Sequence, residues 1–181
     1  MNHIELRVLE SFPEPDTSAL QREVFADYEQ SKLLAEVLAS EAAARPKDSV
    51  ASNQAVFRVG AFRGRALIGW TQGYCQGKSQ FYMLNSGVAL AERRKGIYSQ
   101  LVQAVLAHAE AQGCAVVTSR HVAANVGVII AKLRLGFLVS GFEYSEVYGP
   151  LVRLTYRVRE ERRKLYGSRA APIRPAEGRD A

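Results

Sequence analysis

The sequence predicts an α/β (α+β) fold in which a mixed, mostly antiparallel sheet of about seven strands carries helices on both faces. Three observations lead there. Between residues 55 and 89, apolar alternation recurs in runs separated by short glycine turns, the pattern of consecutive antiparallel strands. From Ile97 onward the apolar period changes from two to that of a helix. The chain, 181 residues with 48% hydrophobic content, is also the size of one well-cored domain.

Each element follows from local chemistry. Ile4 to Leu9 alternates as a short strand, and Asp16, Thr17 or Ser18 can cap a helix offering Leu20, Val24 and Tyr28 on one side. A second helix is expected around Leu34, Val37 and Leu38. Ala55 to Ala61 alternates into the turn Arg63-Gly64-Arg65, Ala66 to Tyr74 returns, and Gln76-Gly77-Lys78 turns the chain into a third strand, Phe81 to Ala89. The next helix shows Ile97, Leu101, Val102, Val105, Leu106 and Ala109 at helical spacing and stops at Gly113. Ala115 to Thr118 reads as a short buried strand. Asn125 can cap a helix carrying Ile129, Ile130 and Leu133 that closes at Gly136. Strands around Phe137 to Phe142 and Leu151 to Val158 complete the order β, α, α, β, β, β, α, β, α, β, β.

Charge and composition exclude several classes. The formal charge is +6, but residues 157–181 hold 8 basic and 4 acidic residues against 16 and 14 in the remainder. Residues 1–158 are therefore expected to form the domain and 159–181 a basic, partly disordered tail, with Pro172, Pro175 and Gly178 favouring solvation over nucleic-acid contact. Glu5, Arg7 and Glu10 interrupt the apolar N-terminal runs and no stretch nears the roughly 20 apolar residues that span a bilayer, so a cytoplasmic protein without membrane contact is expected. Cys75 and Cys114 are expected as reduced, buried thiols. His3, His108 and His121 lack metal-ligand spacing, so no metal is expected.

The most informative stretch is Ser86 to Leu101, SGVALAERRKGIYSQL, in which a strand passes through a basic, glycine-containing turn into an amphipathic helix. Unpaired N–H groups at a helix start attract anions, Arg93, Arg94 and Lys95 add charge there, and Gly96 permits a positive φ with no side chain in the way. An ordinary capped helix with solvated basic residues is the alternative that this chemistry leaves open.

RRKGIYS resembles the R-x-x-G-x-G/A pyrophosphate loop of the GNAT superfamily of acyl-CoA-dependent N-acyltransferases, and NVGVIIAKLRLGF, Asn125 to Phe137, resembles the family's Asn-initiated helix closed by Gly-Phe. The resemblance covers roughly residues 55–156. It implies a GNAT-like fold, with acetyl-CoA or another acyl-CoA as cosubstrate. Arg93, Arg94, Lys95, Gly96, Ile97, Tyr98 and Ser99 would bind pyrophosphate; Val88 and Leu90 would lend backbone groups, and Asn125 would contact pantetheine. Tyr98 departs from the family's Gly or Ala.

The implied activity is transfer of an acetyl or other short acyl group to a primary amine of a small molecule or protein, by direct attack on the thioester. A catalytically silent CoA-binding sensor is the alternative, and a nucleic-acid binder using the tail a third. Many family members carry a proton-donating Tyr where this chain has Lys132, a residue expected on the solvated side of its helix, with proton donation or phosphate binding as alternatives. His121 has the best intrinsic pKa for a base, set against its reading as a partly exposed strand-end histidine; Tyr82 and Asn85 are further candidates. Tyr144, Glu146 and Tyr148 can line the acceptor side, with packing of the aromatics as the alternative. In the family the first two helices commonly border the acceptor cleft, so the resemblance makes the acidic Glu23, Asp27, Glu29 and Glu36 a pointer to a cationic acceptor, with an ordinary solvated helical face as the alternative. The acceptor's identity and the oligomeric state, a homodimer included, are not legible.

Overall fold

Alternating strands separated by glycine turns fold here as a seven-stranded sheet in the order β1-β2-β3-β4-β5-β7-β6. The structure is a computed structural model that describes residues 3–26, 55–146 and 148–170. The strands are β1 (Ile4–Val8), β2 (Val56–Arg63), β3 (Ala66–Gln76), β4 (Gln80–Val88), β5 (Val116–Val122), β6 (Leu138–Ser145) and β7 (Gly149–Arg157). The helices are α1 (Asp16–Phe25), α2 (Ile97–Ala111), α3 (Val126–Arg134) and α4 (Glu160–Ala170), with a 3-10 turn at Leu90–Glu92. The helix expected around Leu34 to Leu38 lies outside the described residues.

Neighbouring residues of β3 show how the two faces are used. A side chain at Gly69 would meet Ile97 and Leu101 of α2, whereas Trp70 points the other way, its ring edge-on to Phe25 of α1 at 5.8 Å between centroids. Alternation along the strand thus assigns α2 to one face and α1 to the other. The α2 side holds the main core, with Phe81, Val102, Val105, Val117, Phe137 and Leu154 all at 0% exposure. Each such side chain contributes roughly 1.5–3 kcal/mol of transfer free energy.

Two local details differ from the sequence reading. No side chain of Asp16, Thr17 or Ser18 caps α1; Pro15 occupies the cap position, and the Glu14 carboxylate accepts from the Ser18 amide at 3.2 Å and its hydroxyl at 2.7 Å. The charge of an acidic side chain at a helix N-terminus explains why Glu14 can do this work. Residues 160–170 are helical: Arg163 donates to the Arg157 carbonyl at 2.8 Å and lies over the Tyr156 ring, so this one residue of the expected tail contacts β7, while Arg162 and Lys164 are exposed.

The sheet splits at its centre. β4 and β5 are parallel, and they pair only at Gln80↔Val116, Phe81↔Val117 and Tyr82↔Thr118. Beyond these pairs, β4 changes register against β3, where Gln72↔Asn85 is followed by Gly73↔Met83 and Leu84 is left over. The extra residue is a bulge, which bends its strand and raises its twist. β5 meanwhile continues to Val122, four residues past its expected end, because β7 pairs with it along its whole length. The two strands therefore diverge, leaving their facing backbone edges open.

Candidate functional site

The basic turn after β4 takes the conformation that its glycine permits. Gly96 is the N-terminal cap residue of α2, with φ 79° and ψ 0°, and supplies no side-chain cap. A Cβ at this position would have nothing within 4 Å, so open space lies over the backbone. Arg94 also has a positive φ, 64°, an arrangement that costs a non-glycine residue about 1–3 kcal/mol and is concentrated at ligand clamps. Left-handed residues at a helix start turn successive N–H groups toward one concavity, and an anion satisfies them.

The three cations there are not equivalent. Lys95 is engaged with Glu92 at 3.2 Å, and Glu92 also binds Arg63 at 2.6 Å; these partners hold the Glu92 carboxyl below its usual pKa, Arg63 first. Arg93 turns its Nε back to the Val88 carbonyl at 3.3 Å. Arg94 has no ion-pair partner among the described residues. Tyr98 packs its ring into the protein, where burial pushes its phenol above the ordinary range. Its side chain is thus packed inward, which is how a tyrosine can occupy a Gly or Ala position. A diphosphate fits this loop: free helix-start amides, a bare Cα and an uncommitted guanidinium are the donors it needs.

The backbone groups at the end of β4 are already in use. The Leu90 amide donates to Glu23 Oε1 at 2.7 Å, and the Val88 carbonyl accepts from Arg93. The open edge of β4 lies earlier, past its last pair with β5 at Tyr82.

At the split lies a cleft of about 820 Å³, lined by Met83 to Ser86 of β4, Ser119 to Val122 of β5, Asn125 and Lys132 of α3, and Tyr144 and Tyr148 at its mouth. Lys132 overturns its expected place on the solvated side. It is 0% exposed, while Ile130 and Leu133, read as part of the buried face, are 43% and 41% exposed. Its Nζ donates to Ser119 Oγ at 2.7 Å and to Met83 Sδ at 3.1 Å, and lies 4.5 Å from the centroid of the Phe137 ring. Burial alone pushes its pKa down to about 7.

His121 is also more enclosed than expected. Its Nε2 lies 2.9 Å from the same Ser119 Oγ. Burial first, and then repulsion from Lys132, pushes its pKa down to about 3, so the imidazole is neutral near pH 7. Ser119, absent from the sequence-based candidates, is the atom that joins the two. Its signal was present in the spacing, because residues 119 and 121 of a strand share a face.

The other candidates divide. Asn125 Oδ1 accepts from the Val128 amide at 3.3 Å, the helix-cap role, while the residue also lines the cleft. Asn85 Oδ1 is committed to Trp70 Nε1 at 3.0 Å. Tyr82 lines the cleft with Arg120 over its ring at 5.2 Å, and Arg120 reaches Glu143 at 3.2 Å. Glu146 is not among the lining residues, whereas Phe25 is. The two cysteines, distant in sequence, place their sulfurs 3.8 Å apart. Cys114 is buried and Cys75 half-buried. Among the described residues no helix is long and apolar enough to cross a membrane.

Comparison with known proteins agrees with this architecture. The model of the acetyltransferase (GNAT) family matches residues 9–137, more than half of the chain. No curated protein matches the sequence. Among solved structures, the ribosomal-protein-S18-alanine N-acetyltransferase from Escherichia coli superposes with a TM-score of 0.65 at 13% identity, over 86% of this chain and 94% of that one. A GNAT family acetyltransferase from Elizabethkingia anophelis, with acetyl-CoA bound, gives 0.59 at 14% identity over 87% and 99%. Ard1 from Thermoplasma volcanium gives 0.61 at 16% over 86% and 99%. At these identities the likeness is one of fold.

Proposed function

The chain belongs to the GNAT acetyltransferase family, and from that premise we propose that it transfers an acetyl or other short acyl group from acyl-CoA to a primary amine by direct attack on the thioester. The observation that carries this reading is the left-handed, side-chain-free Gly96 at the start of α2, reached from the cleft-lining part of β4 within the same segment. The amides of Ile97, Tyr98 and Ser99 with the Arg94 guanidinium would hold the pyrophosphate. Bound acyl-CoA supplies an activated acyl carbon and a thiolate leaving group. N–H groups on the open edge of β4 between Met83 and Ser86 would receive the charge that develops on the acyl oxygen, and holding the reactants together can contribute ~7–11 kcal/mol. Removal of β5 as a partner there is what frees such donors.

The cleft also favours a class of acceptor. Tyr144 and Tyr148 line it, and aromatic faces attract cations by roughly 0.5–2 kcal/mol each. Of the acidic residues read as facing the acceptor, Glu23 is held at the Leu90 amide, and Asp27, Glu29 and Glu36 lie outside the described residues. Polyamines, aminoglycosides and Lys-containing peptides are expected to be acylated faster than neutral or anionic amines. Incubation of the purified protein with acetyl-CoA and such a panel, followed by free-thiol release, tests the activity and the preference together. CoA binding without thiol release from any amine would replace the enzyme by the sensor.

The CoA-binding groups as proposed lie between Met83 and Lys132, apart from α4. Truncation after Val158 is expected to leave CoA affinity within about tenfold, or ~1.4 kcal/mol, while lowering the melting temperature through loss of the Arg163 contacts. A larger loss of affinity in calorimetric titration would bring the C-terminal segment into the site.

A further inference from the structure

We propose that Ser119 passes a proton between His121 and Lys132, so that the three side chains return to the departing sulfur the proton shed by the attacking amine. The inference rests on the acyl-transfer reading. As the amine nitrogen bonds the acyl carbon and the carbon–sulfur bond breaks, one proton must leave nitrogen and one must reach sulfur. The step starts with Lys132 neutral: His121 Nδ1 takes the amine proton as its Nε2–H passes to Ser119 Oγ and the Ser119 hydroxyl proton passes to Lys132 Nζ. The lysine so charged delivers a proton to sulfur, leaving His121 protonated on Nδ1 to return to the Nε2–H tautomer before the next turnover.

The geometry fixes a direction. A charged lysine is donor-only, so at 2.7 Å Ser119 Oγ must accept from Lys132 Nζ. The hydroxyl proton is then free to point at His121 Nε2, 2.9 Å away, which accepts in the tautomer protonated on Nδ1. When Lys132 is neutral its lone pair can accept from the hydroxyl, and His121 Nε2–H can donate to the same oxygen. One proton therefore reverses every hydrogen bond in the chain. Ser119 is only 1% exposed, which keeps water from short-circuiting the path. Met83 Sδ, the other group at Lys132 Nζ, is a weak acceptor that cannot take the proton.

No carboxylate among the described residues pairs with Lys132. Among the described residues, the titratable and charged groups lining the cleft are Tyr82 from β4, Arg120 and His121 from β5, Glu143 and Tyr144 from β6, and Tyr148 from the turn before β7. Glu143 is held by Arg120 and Arg153. The energetics agree with the geometry: an ordinary lysine near 10.4 would give its proton uphill to a thiolate whose acid has a pKa of about 8.5, whereas Lys132 at about 7 gives it downhill. The proton does not rest on His121, whose pKa is about 3 beside a charged Lys132.

The test uses the whole chain with acetyl-CoA and the best amine of the panel, comparing wild type, Ser119→Ala, His121→Phe and the double variant. Expected are a fall in kcat of roughly 10²-fold for Ser119→Ala, CoA affinity within about twofold of wild type by calorimetry, and a double variant no more than about threefold slower than the slower single one, since one path is broken once. The pH profile of kcat is expected to lose its inflection near pH 7 in Ser119→Ala. In wild type the ¹⁵N resonance of His121 Nε2 should move between the bare-nitrogen and N–H ranges as Lys132 titrates, and in Ser119→Ala only by the smaller amount that a nearby charge imposes. Wild-type kcat and pH profile in a folded Ser119→Ala, or multiplicative losses in the double variant, would overturn the relay and leave acyl transfer standing. A wild-type protein that turns over no amine would remove acyl transfer itself, and with it the relay's task.

Discussion

Lys132→Met is expected to slow acyl transfer by roughly 10²–10⁴-fold, the range for loss of a general acid, while making the folded protein more stable at neutral pH. The second half follows from the burial that makes the first half possible. Folded, Lys132 has a pKa of about 7; unfolded, it returns to its ordinary value near 10.5. Below pH 7 both states carry the charge, and the folded state bears the full cost of burying it. Between pH 7 and 10.5 the unfolded chain binds a proton that the folded chain does not, so stability rises with pH. Cys114 opposes this from pH 9, because burial, and then the neighbouring Cys75, raises its thiol from 9 to about 11. The unfolded chain loses that proton first, and stability falls as pH rises from 9 to 11. The net rise is confined to pH 7–9, about 2–3 kcal/mol at 1.36 kcal/mol per unit.

Methionine is close in volume and apolar, so it removes the charge and keeps the packing against Phe137. Ser119 keeps His121 as partner. The variant is expected to gain a few kcal/mol at pH 7, to melt higher than wild type there, and to show no rise in stability between pH 7 and 9. Denaturant unfolding of both proteins at pH 6, 7, 8 and 9 measures this directly. Wild-type stability that is flat from pH 7 to 9, or a Met variant that turns over as fast as wild type, would remove Lys132 from its proposed role.

The same residue shows where sequence stops short of structure. The apolar set Ile129, Ile130 and Leu133 points to one face of α3, which leaves Lys132 outside. The fold instead turns inward the face of half-buried Asn125 and Ile129 and buried Lys132, and exposes Ile130 and Leu133. Hydrophobicity orders residues by average cost, and it does not register the particular partners, Ser119 Oγ and Met83 Sδ, that receive this lysine's Nζ inside the fold. Ser119 was hidden for a different reason: the apolar run ends at Thr118, and only pairing with β7 carries the strand on to Val122. The bulge at Leu84, which opens the cleft, is a property of register between β3 and β4 and has no signature in either strand alone. By contrast, the segment around Gly96 was legible because its signals are local. Apolar period changes from two to 3.6 across a glycine, and glycine is the residue that accepts φ 79° without strain. The three consecutive strands were readable for the same reason, with Gly64 and Gly77 taking left-handed turns.

Gly96 therefore carries the central claim, that acyl-CoA is held by its pyrophosphate at the start of α2. Gly96→Val is expected to remove CoA binding by more than about 10²-fold while the protein remains folded. Valine's Cβ would project into space that no protein atom within 4 Å occupies, so the fold itself loses only the cost of a strained φ, about 1–3 kcal/mol. A phosphate lying against the amides of Ile97 to Ser99 would meet that branched side chain directly. Gly96→Ala, with a single methyl, is expected to fall between the two. Calorimetric titration of folded Gly96→Val and of wild type with CoA, each sample checked by a thermal melt, is the most direct measurement: the wild type binds and the variant gives no binding heat, whereas a variant that melts lower yet binds CoA as tightly as wild type would contradict the loop assignment and the acyltransferase reading built on it.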